Sequence, residues 1–282
     1  MGVKIICDSA SEITRQQAEE WDVIVLPLKT IWEGTEYQDG VTMGAKEFYE
    51  KLIETDELPT TSQVTPYEFE EAFRKVLEQQ DTAVCLTISS KLSGTYQSAL
   101  IANEEVDHQI ELVDTMNVTL GENILVKRAV QLRDEGKTAK EIAAIIKAER
   151  EKVKVIALLD TLEYLKKGGR VSATAAFAGS VLNIKPVVGI VDGVVEVLGK
   201  ARGSKNGNNK LIELIQDSGG VDFNRPCVLG YSGLNDDLLQ KYLKDSEHLY
   251  QGRIESIPIV TIGSTIGTHA GPGAIGVAFF SL

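Results

Sequence analysis

Four short apolar runs pace the first half of the chain: VKIIC (3–7), VIVLPL (23–28), TAVCLTIS (82–89) and IELVD (110–114). Helical stretches such as TRQQAEEW, EFYEKLIE and EFEEAFRKVLEQQ stand between them. Alternation of this kind implies a parallel sheet with helices on both faces. TIWEGTEYQDG (30–40) interrupts it as a hairpin or excursion. Two helices, within NVTLGENILVKRAVQLRDEG and KTAKEIAAIIKAEREK, close the half.

Near residue 153 the pattern changes. VKVIALLD is followed by a helical reading of LEYLKKGGRVSATAAFAGSVL. IKPVVGIVDGVVEVLGKAR then carries Asp192-Gly193 between β-branched runs, a hairpin signal. Helix, strand, helix and strand follow (SKNGNNKLIELIQ, PCVLGYS, NDDLLQKYLKD, IESIPIVTI), and AIGVAFF is a last strand. Hairpins mixed with helices imply an α+β unit whose mixed sheet is covered by helices. The expected class is α/β, with an N-terminal parallel-sheet α/β/α domain (1–152) and a C-terminal α+β domain (153–282). A cleft between two such domains is the usual place for a ligand.

Charge narrows the function. Twenty-nine basic against 41 acidic residues give −12. Such a chain is repelled by nucleic acid and by anionic membranes, so any anion must be held locally. Cys7, Cys85 and Cys227 lie in apolar, strand-like surroundings without a C-x-x-C pair. They read as reduced thiols in a cytoplasmic protein, with no metal site expected. The short apolar run before Asp8 does not read as a signal peptide, and no stretch approaches the ~18 apolar residues of a membrane span.

Hydroxyl side chains mark the candidate site. PTTSQVTP (59–66) holds Thr60, Thr61, Ser62 and Thr65. Thr65-Pro66-Tyr67-Glu68 fits a capping box with proline at the first helical position, which leaves Thr60–Ser62 in a loop. SSKLSGTYQSA (89–99) follows a buried strand and opens a helix, so Ser93, Gly94 and Thr95 fall where free N–H groups favour an anion. Ser93 could equally be a simple N-cap. Asp8-Ser9 reads as a cap or loop brace, since Ala10 breaks the D-x-D phosphotransfer pattern. GPGAIG (271–276) lacks the helix and acidic residue a dinucleotide fingerprint needs. His269, in GTHAGPG, reads as a glycine-flanked loop residue able to approach a ligand, whereas His108 and His248 lie in polar surroundings. No G-x-S-x-G, H-E-x-x-H or P-loop occurs, and spacing gives no support to a Ser93–His269–Asp114 triad. LKKGGR (165–170) ends a helix in glycine, and Lys200, Arg202, Lys205 and Lys210 form a basic island.

Taken together, PTTSQVTP, LSGTYQSA, YLKKGGRVS, LNIKPVV and GTHAGPGA resemble, in order and spacing, the signature segments of the DegV family. The resemblance implies a two-domain protein that buries one long-chain fatty acid, such as palmitate, stearate or oleate, and needs no other cofactor. For FakB-like members it implies a carrier, not an enzyme, that presents the acyl carboxylate to an ATP-dependent fatty acid kinase, FakA-like in type, for acyl phosphate formation and phospholipid synthesis. The carried-over carboxylate ligands are Thr61, Ser93 and His269, with Ser62, Gly94 and Thr95 assisting. Arg170 and Arg202 match basic positions near the head group or the kinase-docking face. Val64-Thr65 replaces a commoner Pro-Ser, and NVTLGEN (117–123) departs from a Ser-rich loop. The small-residue stretch ATAAFAGSVL (173–182) is a candidate tunnel wall. The rival reading is a hydrolase or acyl-transfer enzyme using Ser93.

Overall fold

The computed structural model describes residues 2–55, 57–171 and 184–282. The chain runs β1 (Val3–Asp8), α1 (Arg15–Trp21), β2 (Val23–Leu26), β3 (Lys29–Trp32), β4 (Thr35–Gln38), α2 (Ala45–Glu54), β5 (Thr60–Ser62), α3 (Pro66–Glu78), β6 (Thr82–Thr87), α4 (Thr95–Glu104), β7 (Glu111–Asp114), α5 (Leu120–Asp134) and α6 (Ala139–Glu149). It continues β8 (Val153–Leu158), α7 (Glu163–Lys167), β9 (Ile184–Val191), β10 (Val194–Arg202), α8 (Gly203–Asp217), β11 (Val228–Tyr231), α9 (Asp237–Ser246), β12 (Ile259–Thr261), α10 (Ser264–Ala270) and β13 (Ile275–Phe280).

The first four expected strands form one parallel sheet in the order β2-β1-β6-β7. Period-2 alternation gives each strand two faces. Ile5 and Cys7 of β1, with Val84 and Leu86 of β6, pack towards α5 and α6. Ile6, Ala83 and Cys85 pack towards α3 and α4. Cys7 and Cys85 are thus fully buried core thiols. The second sheet is mixed, in the order β10-β9-β8-β13-β11-β12, with β11 and β12 parallel and the other pairs antiparallel. Ile156 and Leu158 of β8 pack into the core with residues of α8 and α9. Val155 and Ala157, on the opposite face, line a cavity.

Helix α5 joins the two sheets. Leu120, Ile124, Leu125, Val126, Ala129, Val130 and Leu132 are all buried. They share one core with Ile5 and Val84 of the parallel sheet and with Val155, Val228 and Ala278 of the mixed sheet. A helix buried on most sides has no single apolar stripe, which is why LGENILVKRAVQL reads as weakly amphipathic.

Asp192-Gly193 makes the expected β9–β10 turn, with φ of 47° and 78°, the left-handed pair of a type I′ hairpin. Glu33-Gly34 repeats this between β3 and β4, at 49° and 79°. Two expectations are corrected. Thr60–Ser62 is not a loop but edge strand β5, paired antiparallel with β3 (Lys29↔Ser62, Thr30↔Thr61). β-Branched threonines suit that extended ladder. The helical reading of 162–182 holds only for α7 within the described residues: the chain leaves the helix at Gly168–Gly169, and Val171 bridges Val195. The candidate tunnel wall at 173–182 lies outside the described residues.

The capping box is present. Thr65 Oγ1 accepts the Glu68 N–H (3.3 Å), the Glu68 carboxylate accepts the Thr65 N–H (2.8 Å), and Pro66 opens α3. Lys29 Nζ adds an ion pair to Glu68 at 3.0 Å. Thr65→Ala is expected to lose about 1 kcal/mol of stability, a fall of roughly 2–4 °C in Tm for a chain of this size, read by thermal unfolding. No change would show the box to be idle.

Candidate functional site

A cavity of about 350 Å³ lies where the carboxyl ends of the parallel strands meet the mixed sheet. Loops after parallel strands gather ligands at this edge. Ile88 after β6 and Val118 and Thr119 after β7 form one wall; Val155, Ala157, Val188 and Ile190 form the facing one. Helix α10 contributes Thr265, Ile266, His269 and Ala270. Most of this lining is apolar.

The polar groups gather at one side. Thr61, Ser62, Ser93, Gly94, His269 and Arg170 all line the cavity. Thr61 Oγ1 lies 2.9 Å from His269 Nε2, joining β5 to a helix 208 residues away. Ser93 Oγ lies 2.9 Å from Thr95 Oγ1 and accepts the Thr95 N–H at 3.3 Å. Gly94, not Ser93, is the N-cap of α4 and supplies no side-chain cap. Apart from the Thr95 N–H, which Ser93 Oγ takes, the first N–H groups of α4 keep their capacity for an anion. Gln63, which sequence reasoning missed, packs over Gly94: a Cβ there would stand 2.0 Å from Gln63 Oε1, while Gln63 Nε2 donates to Ser98 Oγ (2.7 Å). A side chain at 94 would push the Gln63 amide aside.

His269 is not in a loop. It sits in the last turn of α10, which Gly271 ends at φ 70°. Burial first, then the Arg170 charge, pushes its imidazole down to about 4. It is neutral at physiological pH. Arg170 is exposed and ties two neighbours of the site together: Nη1 donates to the Gly168 carbonyl (2.7 Å), Nε to the Leu92 carbonyl (3.4 Å). Thr95 is fully buried and reaches the site through Ser93. Arg202 is not brought in: it ends β10, exposed, and is not among the described lining residues.

Buried carboxylates brace the site from behind. Glu12 accepts from Gly263 N–H (2.7 Å) and Thr119 Oγ1 (3.1 Å). Asp39 accepts from Ser264 N–H (2.9 Å), Ser264 Oγ (2.8 Å) and Ser9 Oγ (3.0 Å). Together they cap the start of α10 and so place His269 at its other end. Asp8 caps the turn after β1 through the Ala10 N–H (3.0 Å) and reaches the Ile88 N–H (2.8 Å). Asp114 likewise braces a loop, accepting from Ser90 and Met116 N–H groups (3.2 and 2.9 Å). Among the described residues no cluster of three or more His, Cys, Asp or Glu could hold a metal ion, and no helix is long and apolar enough to cross a membrane.

Comparison with known proteins agrees over the whole chain. The DegV family model matches residues 2–282. A DegV domain-containing protein of Caldanaerobacter subterraneus subsp. tengcongensis is 35% identical over 280 residues, 98% of each chain. Among solved structures, one described for fatty acid binding of a DegV family protein from Thermus thermophilus aligns with a TM-score of 0.89 and 32% identity over 100% of both chains. A stearic acid-binding protein from Eubacterium ventriosum aligns at 0.86 and 26% identity, covering 99% of this chain and 97% of the other. The chain belongs to the DegV family.

Proposed function

We propose that this chain binds one long-chain fatty acid, with the tail between the two sheets and the carboxylate against Thr61, Ser93 and the N–H of Gly94, with His269 behind Thr61 and Thr95 behind Ser93. Ser62 lies beside the same group. The parallel-sheet half (1–152) and the mixed-sheet half (153–282) act as two domains gripping the ligand between them. The observation that carries the reading is the division of the cavity: an apolar body with hydrogen-bond donors gathered at one side. A fatty acid has that division. Each buried methylene contributes roughly 0.8 kcal/mol, so a sixteen-carbon tail supplies on the order of 10 kcal/mol before association costs. The Thermus and Eubacterium relatives described above are fatty acid binders, which supports the same ligand class here.

The donors suit a carrier. Hydroxyl and N–H groups satisfy a buried carboxylate, and Ser93 is bonded to Thr95, not to an imidazole. His269 Nε2 meets Thr61, not Ser93, and Asp114 is bonded to loop N–H groups. That arrangement disfavours the hydrolase reading. The carrier would hand the carboxylate to a cytoplasmic, ATP-dependent fatty acid kinase, with exposed Arg170 beside the head group and Arg202 on a separate docking face.

Mass spectrometry of the purified protein and of its organic extract tests the ligand. One fatty acid per chain is expected. Neither a co-purified acid nor uptake of added palmitate would overturn the proposal. Acyl phosphate formation with a fatty acid kinase and ATP tests the handover.

A further inference from the structure

Two adjacent glycines end α7, and one would suffice. Gly169, at φ 66°, makes the left-handed turn. Gly168 does not: at φ −76°, ψ −10° it has a backbone any residue adopts. What Gly168 lacks room for is a side chain. A Cβ there would stand 2.1 Å from His269 Nδ1 and 2.8 Å from its Cε1. The Gly168 α-carbon thus lies flat against one nitrogen of the imidazole.

That nitrogen is buried and has no hydrogen-bond partner among the described residues. The Tyr164 carbonyl beside the same spot accepts the Gly168 N–H at 2.9 Å and is not bonded to Nδ1. A hydrogen on Nδ1 would be a buried donor without an acceptor, which is strongly disfavoured. A lone pair there faces only an aliphatic C–H. The other nitrogen, Nε2, lies 2.9 Å from Thr61 Oγ1, a distance that fits either direction of donation. The blocked nitrogen decides between them.

We propose that His269 is held as the neutral tautomer protonated on Nε2, and that Gly168 is the positioning residue that enforces it. Nε2–H donates to Thr61 Oγ1. The Thr61 hydrogen is then left to point into the cavity and donate to the ligand carboxylate. His269 is neither a base towards Thr61, since Nε2 has no free pair, nor a cation under the carboxylate, since the second proton has nowhere to bond. The charged neighbour facing it, Arg170 from the α7 side, opposes protonation further. Thr61 faces it from β5, and the carboxylates Asp39 and Glu12 sit at the opposite end of α10, on Ser264 and Gly263. The ligand step rests on the fatty acid reading; the tautomer does not.

The experiment is long-range ¹H–¹⁵N correlation NMR of the full chain labelled at histidine, with and without palmitate. Three histidines make assignment by His269→Gln direct. The expected result is the Nε2–H pattern for His269, unchanged between pH 8 and 5.5. Gly168→Ala is expected to abolish that pattern and to weaken palmitate binding at least tenfold. Gly169→Ala, though strained in its backbone, leaves the imidazole pattern intact. An Nδ1–H or imidazolium pattern in the native chain at pH 7 overturns the proposal, as does an unaltered pattern in a folded Gly168→Ala. If Gly168→Ala does not fold, the native spectrum alone decides. If the Nε2–H pattern is found but palmitate does not bind, the tautomer stands and the fatty acid reading fails.

Discussion

Thr61→Ala combined with Ser93→Ala is expected to weaken palmitate binding by roughly 10²–10⁴-fold. Each hydroxyl is a charge-assisted donor to a buried carboxylate, worth about 1.5–3 kcal/mol, and about 1.4 kcal/mol is a factor of ten. Binding would not vanish, because the N–H groups at the start of α4 remain and the tail contacts are untouched. The fold should survive: both residues are only half-buried. Their removal strands one buried neighbour each, His269 Nε2 and Thr95 Oγ1, so Tm should fall by a few degrees at most. Palmitate methyl ester, which carries no charge, should distinguish the double variant from the native chain far less than palmitate does. Titration calorimetry with both ligands reads the difference. A loss below tenfold for palmitate, or an equal loss for the ester, would show that these hydroxyls are not the carboxylate donors.

The parallel sheet is legible in the sequence because its strands are buried on both faces and read as continuous apolar runs between amphipathic helices. The β9–β10 hairpin is legible because Asp192-Gly193 names its own turn type. The hydroxyl-bearing stretches can be seen as candidates, but not their convergence: Thr61 and His269 meet across 208 residues of sequence. Short elements escape a linear reading where tertiary partners decide them. β5 is a strand because β3 is available to pair with it, and α10 is a helix because Glu12 and Asp39 cap it from other parts of the chain. Gly168 does carry a signal. A helix needs one glycine at its C-cap, so the second glycine of the pair asks for a packing reason, which the imidazole supplies. Gln63 gives no signal, since its neighbour across the site, Gly94, is found only in three dimensions.

Glu122→Gln is expected to stabilise the protein at pH 8 and to do so distinctly less at pH 5.5. Asp8, Glu12, Asp39 and Glu122 are 0–7% exposed, and burial raises the pKa of all four. Among the described residues neither Glu122 oxygen has a hydrogen-bond partner; burial first, then the charges of Asp8 and Glu12, raise its pKa. A carboxyl buried without donors keeps its proton, so Glu122 is neutral in the folded protein. Asp8 itself is pushed from 3.8 up to about 7. The sign follows from proton counting. Between pH 4 and 7 the folded state binds more of these protons than the unfolded chain, so stability is present at the acid end and lost as pH rises through the folded values. A rise of that size is worth on the order of 4 kcal/mol for Asp8 at most. His269 opposes this: held near 4, it contributes stability above about 6.5 that is lost as pH falls towards 4. One imidazole stands against four carboxyls, so Tm should rise from pH 8 to 5.5. Lower net charge would also raise Tm on acidification in a −12 chain, and the variant separates the two causes. Glutamine keeps the shape and removes the titration. It should therefore gain roughly 1–3 kcal/mol at pH 8, as neutral replacements of buried charges do, and flatten the pH dependence. Asp8→Asn should instead destabilise at every pH, because the Asp8 oxygens receive the Ala10 and Ile88 N–H groups and an amide offers only one acceptor. Thermal unfolding across this pH range measures both. A Glu122→Gln chain that is less stable than the native one at pH 8, or that keeps its pH slope, would show that Glu122 does not take up a proton on folding.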